Sequence, residues 1–173
     1  TDMWSMFENA SSFNQDLSGW NVSGVEDMGY MFRGASSFNQ DLSGWNVSSV
    51  TNMEYMFYYA TSFNGDISGW DVSGVTSMTQ MFWNADSFNQ DLSGWDVSSV
   101  TDMTQIFDGA TGLSDGIKCA IHTSWSDQND LWPYDWSEFC FSYVFTSTDE
   151  LQSAVDLWVD DNSSAISAYG LIR

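Results

Sequence analysis

The stretch that decides the fold is Asp91-Leu92-Ser93-Gly94-Trp95-Asp96-Val97-Ser98-Ser99-Val100-Thr101-Asp102-Met103. It returns almost unchanged three times upstream, and its tryptophan recurs every 25 residues as Trp20, Trp45, Trp70 and Trp95. A fixed period of about 20–29 residues is typical of leucine-rich-type repeats that stack into a solenoid. The sequence therefore predicts a stack of coils that bury one another's apolar side chains.

Two apolar periods alternate inside each repeat. Trp95 and Val97 alternate with polar residues, which predicts a short strand. Between Val100 and Ala110 the apolar residues come every three or four positions, which predicts a short helix with Ser99 or Thr101 as its N-cap. We therefore predict an α/β fold: a leucine-rich-repeat-like solenoid with 25-residue coils plus a small, mainly helical cap or linker module.

The period divides the chain into two predicted domains. Residues 1–110 are the repeat solenoid of about four to five coils, and residues 111–173 are a disulfide-linked cap or linker module. In the second domain, Ser114 is expected to precede a helix with Ile117, Ile121 and Trp125 on one face. Another amphipathic helix is predicted over 148–160. A module of this kind can cover the open edge of the last coil.

Charge limits the partners of the protein. The chain has 24 acidic residues, three basic residues and a formal net charge of -21. Nucleic acid phosphates and anionic membrane surfaces would be repelled. No apolar run reaches the roughly 18 residues that a membrane span needs. The composition suits an extracellular setting, where salt screens the self-repulsion.

The two cysteines, Cys119 and Cys140, frame a tryptophan-rich segment outside the repeats. The pair predicts one disulfide and an oxidising compartment, with two buried free thiols as the alternative. A structural zinc site would need further cysteine or histidine ligands at suitable spacing.

The repeat motif Phe-Asn-Gln-Asp-Leu-Ser-Gly-Trp-Asp-Val-Ser-Ser-Val-Thr-Asp-Met, continued by x-x-Met-Phe-x-x-Ala, resembles the BspA-type leucine-rich repeat of surface proteins. That variety is abundant in mycoplasma lipoproteins, protists, marine algae and some of their large viruses. The resemblance covers residues 1–110 and extends to segments that follow such arrays. It implies a secreted or surface location and a role in adhesion or structure. It carries no catalytic residues over to this chain.

One aspartate column is a candidate metal site. It consists of Asp16, Asp41, Asp66 and Asp91. Stacked carboxylates repel one another, so each needs compensation. Either each aspartate accepts backbone N–H groups in its own turn, or Ca²⁺ is shared between coils. Calcium is the only cofactor that the sequence suggests.

A second polar column is a candidate partner surface. Asn21, Asn46, Asp71 and Asp96 point away from the core if the tryptophans point inward. This face either binds glycans or a cell-surface protein, or is simply solvated. Glycosylation sequons begin at Asn9, Asn21, Asn46 and Asn162.

The ends of the sequence suggest self-association. The chain starts in mid-repeat, so the first coil is expected to expose apolar residues and unpaired backbone groups. Head-to-tail subunits or tandem arrays would then form a fibre or a surface layer. The residues expected at this contact are Met3, Met6, Phe7, Phe13, Tyr169, Leu171 and Ile172.

Catalysis is not expected. His122 is the only histidine, and no nucleophile lies beside a base in the sequence. An aromatic cluster with nearby carboxylates resembles either a sugar cleft or the aromatic cap of a solenoid: Trp125, Trp132, Tyr134 and Trp136 with Asp130, Asp135 and Glu138. The sequence therefore favours an extracellular structural or adhesive repeat protein that self-associates. The alternative is a ligand-binding module.

Overall fold

The computed structural model describes residues 2–140, 148, 149 and 152. The regular elements of the segment 2–140 are a helix α1 at Asp115–Gln128 and a 3-10 helix at Ser137–Cys140. Within that same segment, the only β-type pairings are four isolated parallel bridges. The predicted α/β solenoid with a sheet is therefore wrong, because no strand and no sheet form in the described residues.

The isolated bridges nevertheless follow the sequence period. They link five residues in sequence, always across 25 positions: Asp2 to Asp27, Asp27 to Asn52, Asn52 to Ser77, and Ser77 to Asp102. Successive repeats thus lie beside one another in register, and the chain advances by one coil per repeat.

The coils are joined through five nine-residue arms, at residues 2–10, 27–35, 52–60, 77–85 and 102–110. Four backbone N–H groups of each of the first four arms donate to carbonyl oxygens of the next arm. In the third arm, the donors Met53, Tyr55, Phe57 and Tyr59 reach the oxygens of Ser77, Thr79, Met81 and Trp83 at 3.0, 2.9, 2.9 and 2.8 Å. Intervening N–H groups close tight turns within the arm, as from Met56 to the Met53 oxygen at 3.3 Å.

The helix predicted between Val100 and Ala110 is also wrong, because this arm consists of turns. An α-helix directs its N–H groups along its own axis to residue i−4, whereas the N–H groups of Ile106, Asp108 and Ala110 donate to residue i−3 in tight turns. The Phe107 N–H leaves the arm altogether and donates to the Tyr134 hydroxyl. Gln105 has φ 54, which no α-helix accepts. Thr101 is not an N-cap: its N–H and its hydroxyl both donate to the Thr76 oxygen, at 2.8 and 3.0 Å.

The strand predicted around Trp95 and Val97 is also wrong. The Trp95 N–H donates to the Leu92 oxygen of its own coil at 3.0 Å. Contact with the preceding coil is made by the side chain, since the Trp95 indole N–H donates to the Ile67 oxygen at 3.1 Å. A backbone N–H that bonds within its own coil is not available to a neighbouring strand, so no sheet ladder forms here. The alternation still orients the side chains as predicted, because Trp95 and Val97 are buried.

The core consists of columns of identical side chains that stack from coil to coil. Trp70 lies between Trp45 and Trp95, with ring centroids 6.4 and 6.3 Å apart. Phe57 lies in the same way between Phe32 and Phe82, at 5.6 Å from each. Each coil is therefore incomplete without its neighbours, as expected of repeat proteins.

Helix α1 forms as predicted and continues the tryptophan column. Ile121 and Trp125 on its inner face are buried, and Ile117 packs against the core. Ser114 occupies the N-cap position, although its side chain makes no capping bond. The second predicted helix, over 148–160, falls largely outside the described residues. The domain boundary at residue 110 stays a prediction.

Candidate functional site

Side chains of α1 and of the residue after it close one edge of the stack. The Trp125 indole N–H donates to the Leu92 oxygen at 3.0 Å, which reproduces the bond that Trp95 makes one coil earlier. Four further carbonyl oxygens of the last coil accept hydrogen bonds from this segment. The Ser124 hydroxyl donates to the Ser93 oxygen at 2.7 Å, and the Gln128 side-chain amide donates to the Trp95 oxygen at 3.1 Å. The Asn129 side-chain amide donates to the oxygens of Val97 and Val100 at 2.8 Å each. This edge therefore needs no further coil on its tryptophan side.

The disulfide is confirmed. Cys119 on α1 and Cys140 on the 3-10 helix are joined, and neither is a free thiol. The bond ties the two helical elements of the closing segment together. The thiol alternative is thereby excluded.

The opposite edge, on the first arm, is open in the described structure. The carbonyl oxygens of Asp2, Trp4, Met6 and Glu8 match those that accept ladder bonds in every later arm, and no N–H of the described residues donates to them. Trp4, Met6 and Trp20 are exposed here, at 42%, 47% and 39%. We name this surface the first-arm edge.

The residues predicted for self-association divide between this edge and the rest of the chain. Met6 is exposed, while Met3, Phe7 and Phe13 are half-buried against the core. Tyr169, Leu171 and Ile172 lie outside the described residues. Self-association stays a prediction.

The aspartate column lies at the surface, and each of its members has the same role in a local turn. The Oδ1 atoms of Asp16, Asp41, Asp66 and Asp91 accept the N–H of the serine two residues later, at 2.8, 2.8, 2.9 and 2.9 Å. These are the contacts that the turn interpretation requires. No group of three or more histidine, cysteine, aspartate or glutamate side chains suited to a metal ion occurs in the described part. Calcium binding stays a prediction.

The predicted partner column also makes local bonds. Oδ1 of Asn21, Asn46, Asp71 and Asp96 accepts both the N–H and the hydroxyl of the serine two residues later. The column is exposed, yet one acceptor oxygen of each residue is already used within its own coil. Of the predicted sequons, Asn9, Asn21 and Asn46 are exposed and Asn162 lies outside the described residues.

These bonds predict that the parent protein and one double variant differ in how their stability responds to acid. The Ser73 hydroxyl and N–H lower the pKa of Asp71, and Ser98 lowers the pKa of Asp96 in the same way. A lowered folded-state pKa gives stability that is present above the unfolded value, about 3.9, and lost as the pH falls through the folded value. The double variant Asp71→Asn, Asp96→Asn keeps the acceptor oxygens, as Asn21 and Asn46 do, but cannot titrate.

We expect the parent to lose more thermal stability than this variant between about pH 5 and about pH 3. Melting temperatures by circular dichroism measure the difference, and all other acidic groups are shared. Parallel curves would mean that the serine bonds do not distinguish the charged from the protonated carboxyl group.

The carboxylates of the predicted sugar cleft do not line the cleft that lies beside its aromatic residues. Trp125, Trp132, Tyr134 and Trp136 do pack together. Asp130, Asp135 and Glu138 are exposed. A cleft of about 290 Å³ beside the cluster is lined instead by Phe107, Asp108, Gly109, Ala110, Thr111, Leu113, Lys118, Tyr134 and Trp136.

Polar groups in this cluster hold its aromatic side chains in place. The Tyr134 hydroxyl donates to Asp108 at 2.7 Å and accepts the Phe107 N–H at 2.9 Å. The Trp132 indole N–H donates to Nδ1 of His122 at 3.0 Å, so this nitrogen is already used. The cluster therefore resembles an aromatic cap. The expectation that the protein is not an enzyme stays a prediction.

One exposed surface escaped the sequence interpretation. Aromatic rings gather on the outward side of the second, third and fourth arms, next to Trp4 of the first. They are Tyr30, Tyr55, Tyr58, Tyr59 and Trp83, which we name the aromatic face. Tyr30 and Tyr55 lie 4.6 Å apart between centroids, and Trp4 lies 4.5 Å from Tyr30. These residues differ from repeat to repeat, so the repeated pattern of the sequence does not reveal them.

These features define a repeat protein in which 25-residue coils stack in register and a disulfide-linked helical segment closes one edge. The chain belongs to the family described as "Mycoplasma protein of unknown function, DUF285", which matches residues 1–120 and 66–168. The relationship to mycoplasma proteins that the repeat motif indicates is thus confirmed at the level of the family. Searches of the curated proteins and of the solved structures found no match. Among the described residues, no helix has the length and apolar character to cross a membrane.

Proposed function

We propose that the chain belongs to an extracellular structural or adhesive protein of the BspA type, whose coils continue into a longer stack. The continuation is made by head-to-tail subunits or by tandem arrays in one chain, and its product is a fibre or a surface layer. The first-arm edge carries this proposal. Its four carbonyl oxygens have the register that accepts an arm's N–H groups at each internal junction.

The chemistry of this edge favours another arm of the same kind as its binding partner. A neighbouring arm would supply the N–H donors and would cover Trp4 and Met6 together with the oxygens. Exposed apolar side chains beside unpaired backbone acceptors are the combination that edge-to-edge association buries. Non-closing contacts of this heterologous type generate filaments. The disulfide and the membership in a mycoplasma family support a location outside the cytoplasm.

Electron microscopy of the purified full-length gene product tests the proposal. We expect rows of axially stacked units, and we expect Met6→Glu to shorten them by placing a charge on the first-arm edge. Ser62→Glu is the matched control, because it adds the same charge at an exposed position of a middle coil, away from both edges of the stack. The mass of the natural gene product separates tandem arrays from assembled subunits. Isolated single units, unaffected by Met6→Glu, would overturn the proposal.

The alternative function, a module that binds a glycan or a cell-surface protein, is favoured by a different observation. The column of Asn21, Asn46, Asp71 and Asp96 uses acceptor oxygens locally, which weakens its case as a binding surface. The aromatic face offers better binding chemistry, since tyrosine and tryptophan combine apolar area with a polar group.

A further inference from the structure

The outward positions of the arms differ from coil to coil, whereas several exposed columns outside the arms are constant. The aspartate, serine and glycine columns that begin at Asp16, Ser18 and Gly19 repeat without change through four coils. Four outward arm columns vary: Trp4, Gly29, Glu54, Thr79, Thr104; Ser5, Tyr30, Tyr55, Gln80, Gln105; Glu8, Arg33, Tyr58, Trp83, Asp108; and Asn9, Gly34, Tyr59, Asn84, Gly109. Stacking therefore does not dictate these side chains, and the exposed aromatic residues of the arms are concentrated among them.

The rings of the aromatic face form a connected surface. Tyr58 lies 5.5 Å from Tyr55, 4.8 Å from Tyr59 and 6.1 Å from Trp83, measured between centroids. Tyr59 is 46% exposed and the other rings are half-buried. Half-buried tyrosine and tryptophan are already fixed before binding, so little conformational entropy is lost when a partner covers them. These residue types also dominate the binding energy of protein interfaces.

Arg33, an arginine of the chain itself, shows which chemistry the face accepts. The Arg33 guanidinium lies 5.7 Å from the Tyr30 centroid and 5.3 Å from the Tyr58 centroid. The same group pairs with Glu8 at 2.6 Å. A cation above aromatic rings and beside a carboxylate gains from both interactions. One guanidinium is thus already held at the border of this surface.

A carboxylate on the same face has no such cation among the described residues. Glu54, next to Tyr55 in the chain, is half-buried. Its burial raises its pKa, and repulsion by Asp27 and Asp102 raises it further. In the described part, Arg33 pairs with Glu8 and Lys118 with Asp115. A cation from outside would relieve the repulsion around Glu54.

We propose that the aromatic face docks a basic segment of another protein, whose arginine or lysine side chains lie over the rings of Tyr55, Tyr58 and Trp83 and pair with Glu54. The net charge of -21 attracts such a partner from a distance. A neutral glycan would gain from the rings but not from the charge. An anionic glycan would be repelled. This docking is independent of the first-arm edge and of any stacking of units.

The test measures binding of a fluorescein-labelled (Arg-Ser)₅ peptide to the full-length protein by fluorescence anisotropy at physiological salt. The double variant Tyr58→Leu, Trp83→Leu removes two rings without changing charge. We expect it to weaken binding about fivefold or more. The matched variant Tyr58→Phe, Trp83→Phe keeps aromatic rings and should stay within about twofold of the parent.

A second pair of variants separates docking from general attraction to an acidic protein. Glu54→Gln should weaken binding, and Asp96→Asn, which removes one exposed charge elsewhere, should not. Equal effects of these two variants, or no effect of the leucine pair, would overturn the proposal. A neutral glycan array bound by the parent and lost in the leucine pair would also overturn it. If the leucine pair lowers the melting temperature, Glu54→Gln against Asp96→Asn decides, because neither changes the aromatic packing.

Discussion

Replacing Trp70 by alanine should lower the free energy of unfolding by about 3–5 kcal/mol. The side chain is 4% exposed and lies between the rings of Trp45 and Trp95. Its indole N–H donates to the Leu42 oxygen at 3.0 Å. Alanine would therefore leave a cavity between two coils and would also leave a buried carbonyl oxygen without its donor. Urea denaturation followed by circular dichroism measures the loss.

Trp20 provides a matched control inside the same column. It occupies the same position of the repeat but is 39% exposed, because no coil of the described chain lies on its outer side. Trp20→Ala should cost about 1 kcal/mol, the ordinary size for a single substitution. Equal losses in the two variants would contradict the idea that neighbouring coils, and not the coil itself, stabilise the tryptophan.

Replacing Trp125 by alanine should cost a similar amount, about 3–5 kcal/mol. Trp125 belongs to α1, yet it packs as though it were the tryptophan of one more coil. It is fully buried, lies 6.1 Å from Trp95 and donates to the Leu92 oxygen at 3.0 Å. Without it, the last coil would expose its apolar edge to water.

The exposed Leu131 of the same segment is the control for Trp125. Leu131→Ala should change the free energy of unfolding by no more than about 0.5 kcal/mol. Hydrogen exchange adds a local readout, since amides of the last coil should exchange faster in Trp125→Ala. Uniform exchange across all coils, or a loss as small as that of Leu131→Ala, would show that α1 does not close the stack through its tryptophan.

The architecture of the coils was only partly predictable from sequence. The period, the inward tryptophans, α1 and the disulfide follow from spacing and composition. The conformation of the arm does not, because Val100, Met103, Ile106, Phe107 and Ala110 fit a helix as well as they fit this chain of turns. The difference lies in the sign of φ at two positions of each arm, which hydrophobic spacing does not report.

A weak signal for that sign was nevertheless present. The eighth position of the arms holds Asn9, Gly34, Tyr59, Asn84 and Gly109, all with positive φ. Glycine and asparagine adopt this conformation more readily than other residues, and they would interrupt a helix. Tyr59 in the same column shows why the signal is incomplete, since the ladder bonds of the arm impose the conformation on a bulky residue as well.

The candidate binding surface was missed for a different physical reason. Repeated residues mark what stacking requires, so the repeated polar columns drew attention to Asp16 and Asn21 and their equivalents. Their side chains bond within their own turns. Tyr58 and Trp83 occupy arm positions at which stacking of the coils does not dictate the side chain. Only the structure shows that such residues on different coils lie within 6.1 Å of one another.

Nuclear Overhauser contacts of the Tyr55 amide test the ladder of arms most directly. In the structure this N–H donates to the Thr79 oxygen of the next coil at 2.9 Å, and Tyr55 itself has φ 56. We expect contacts from the Tyr55 amide to protons of Thr79 and Gln80, with equivalent contacts at the other arm junctions. A helical pattern of contacts to residues three and four positions away, with none to the next coil, would contradict the ladder.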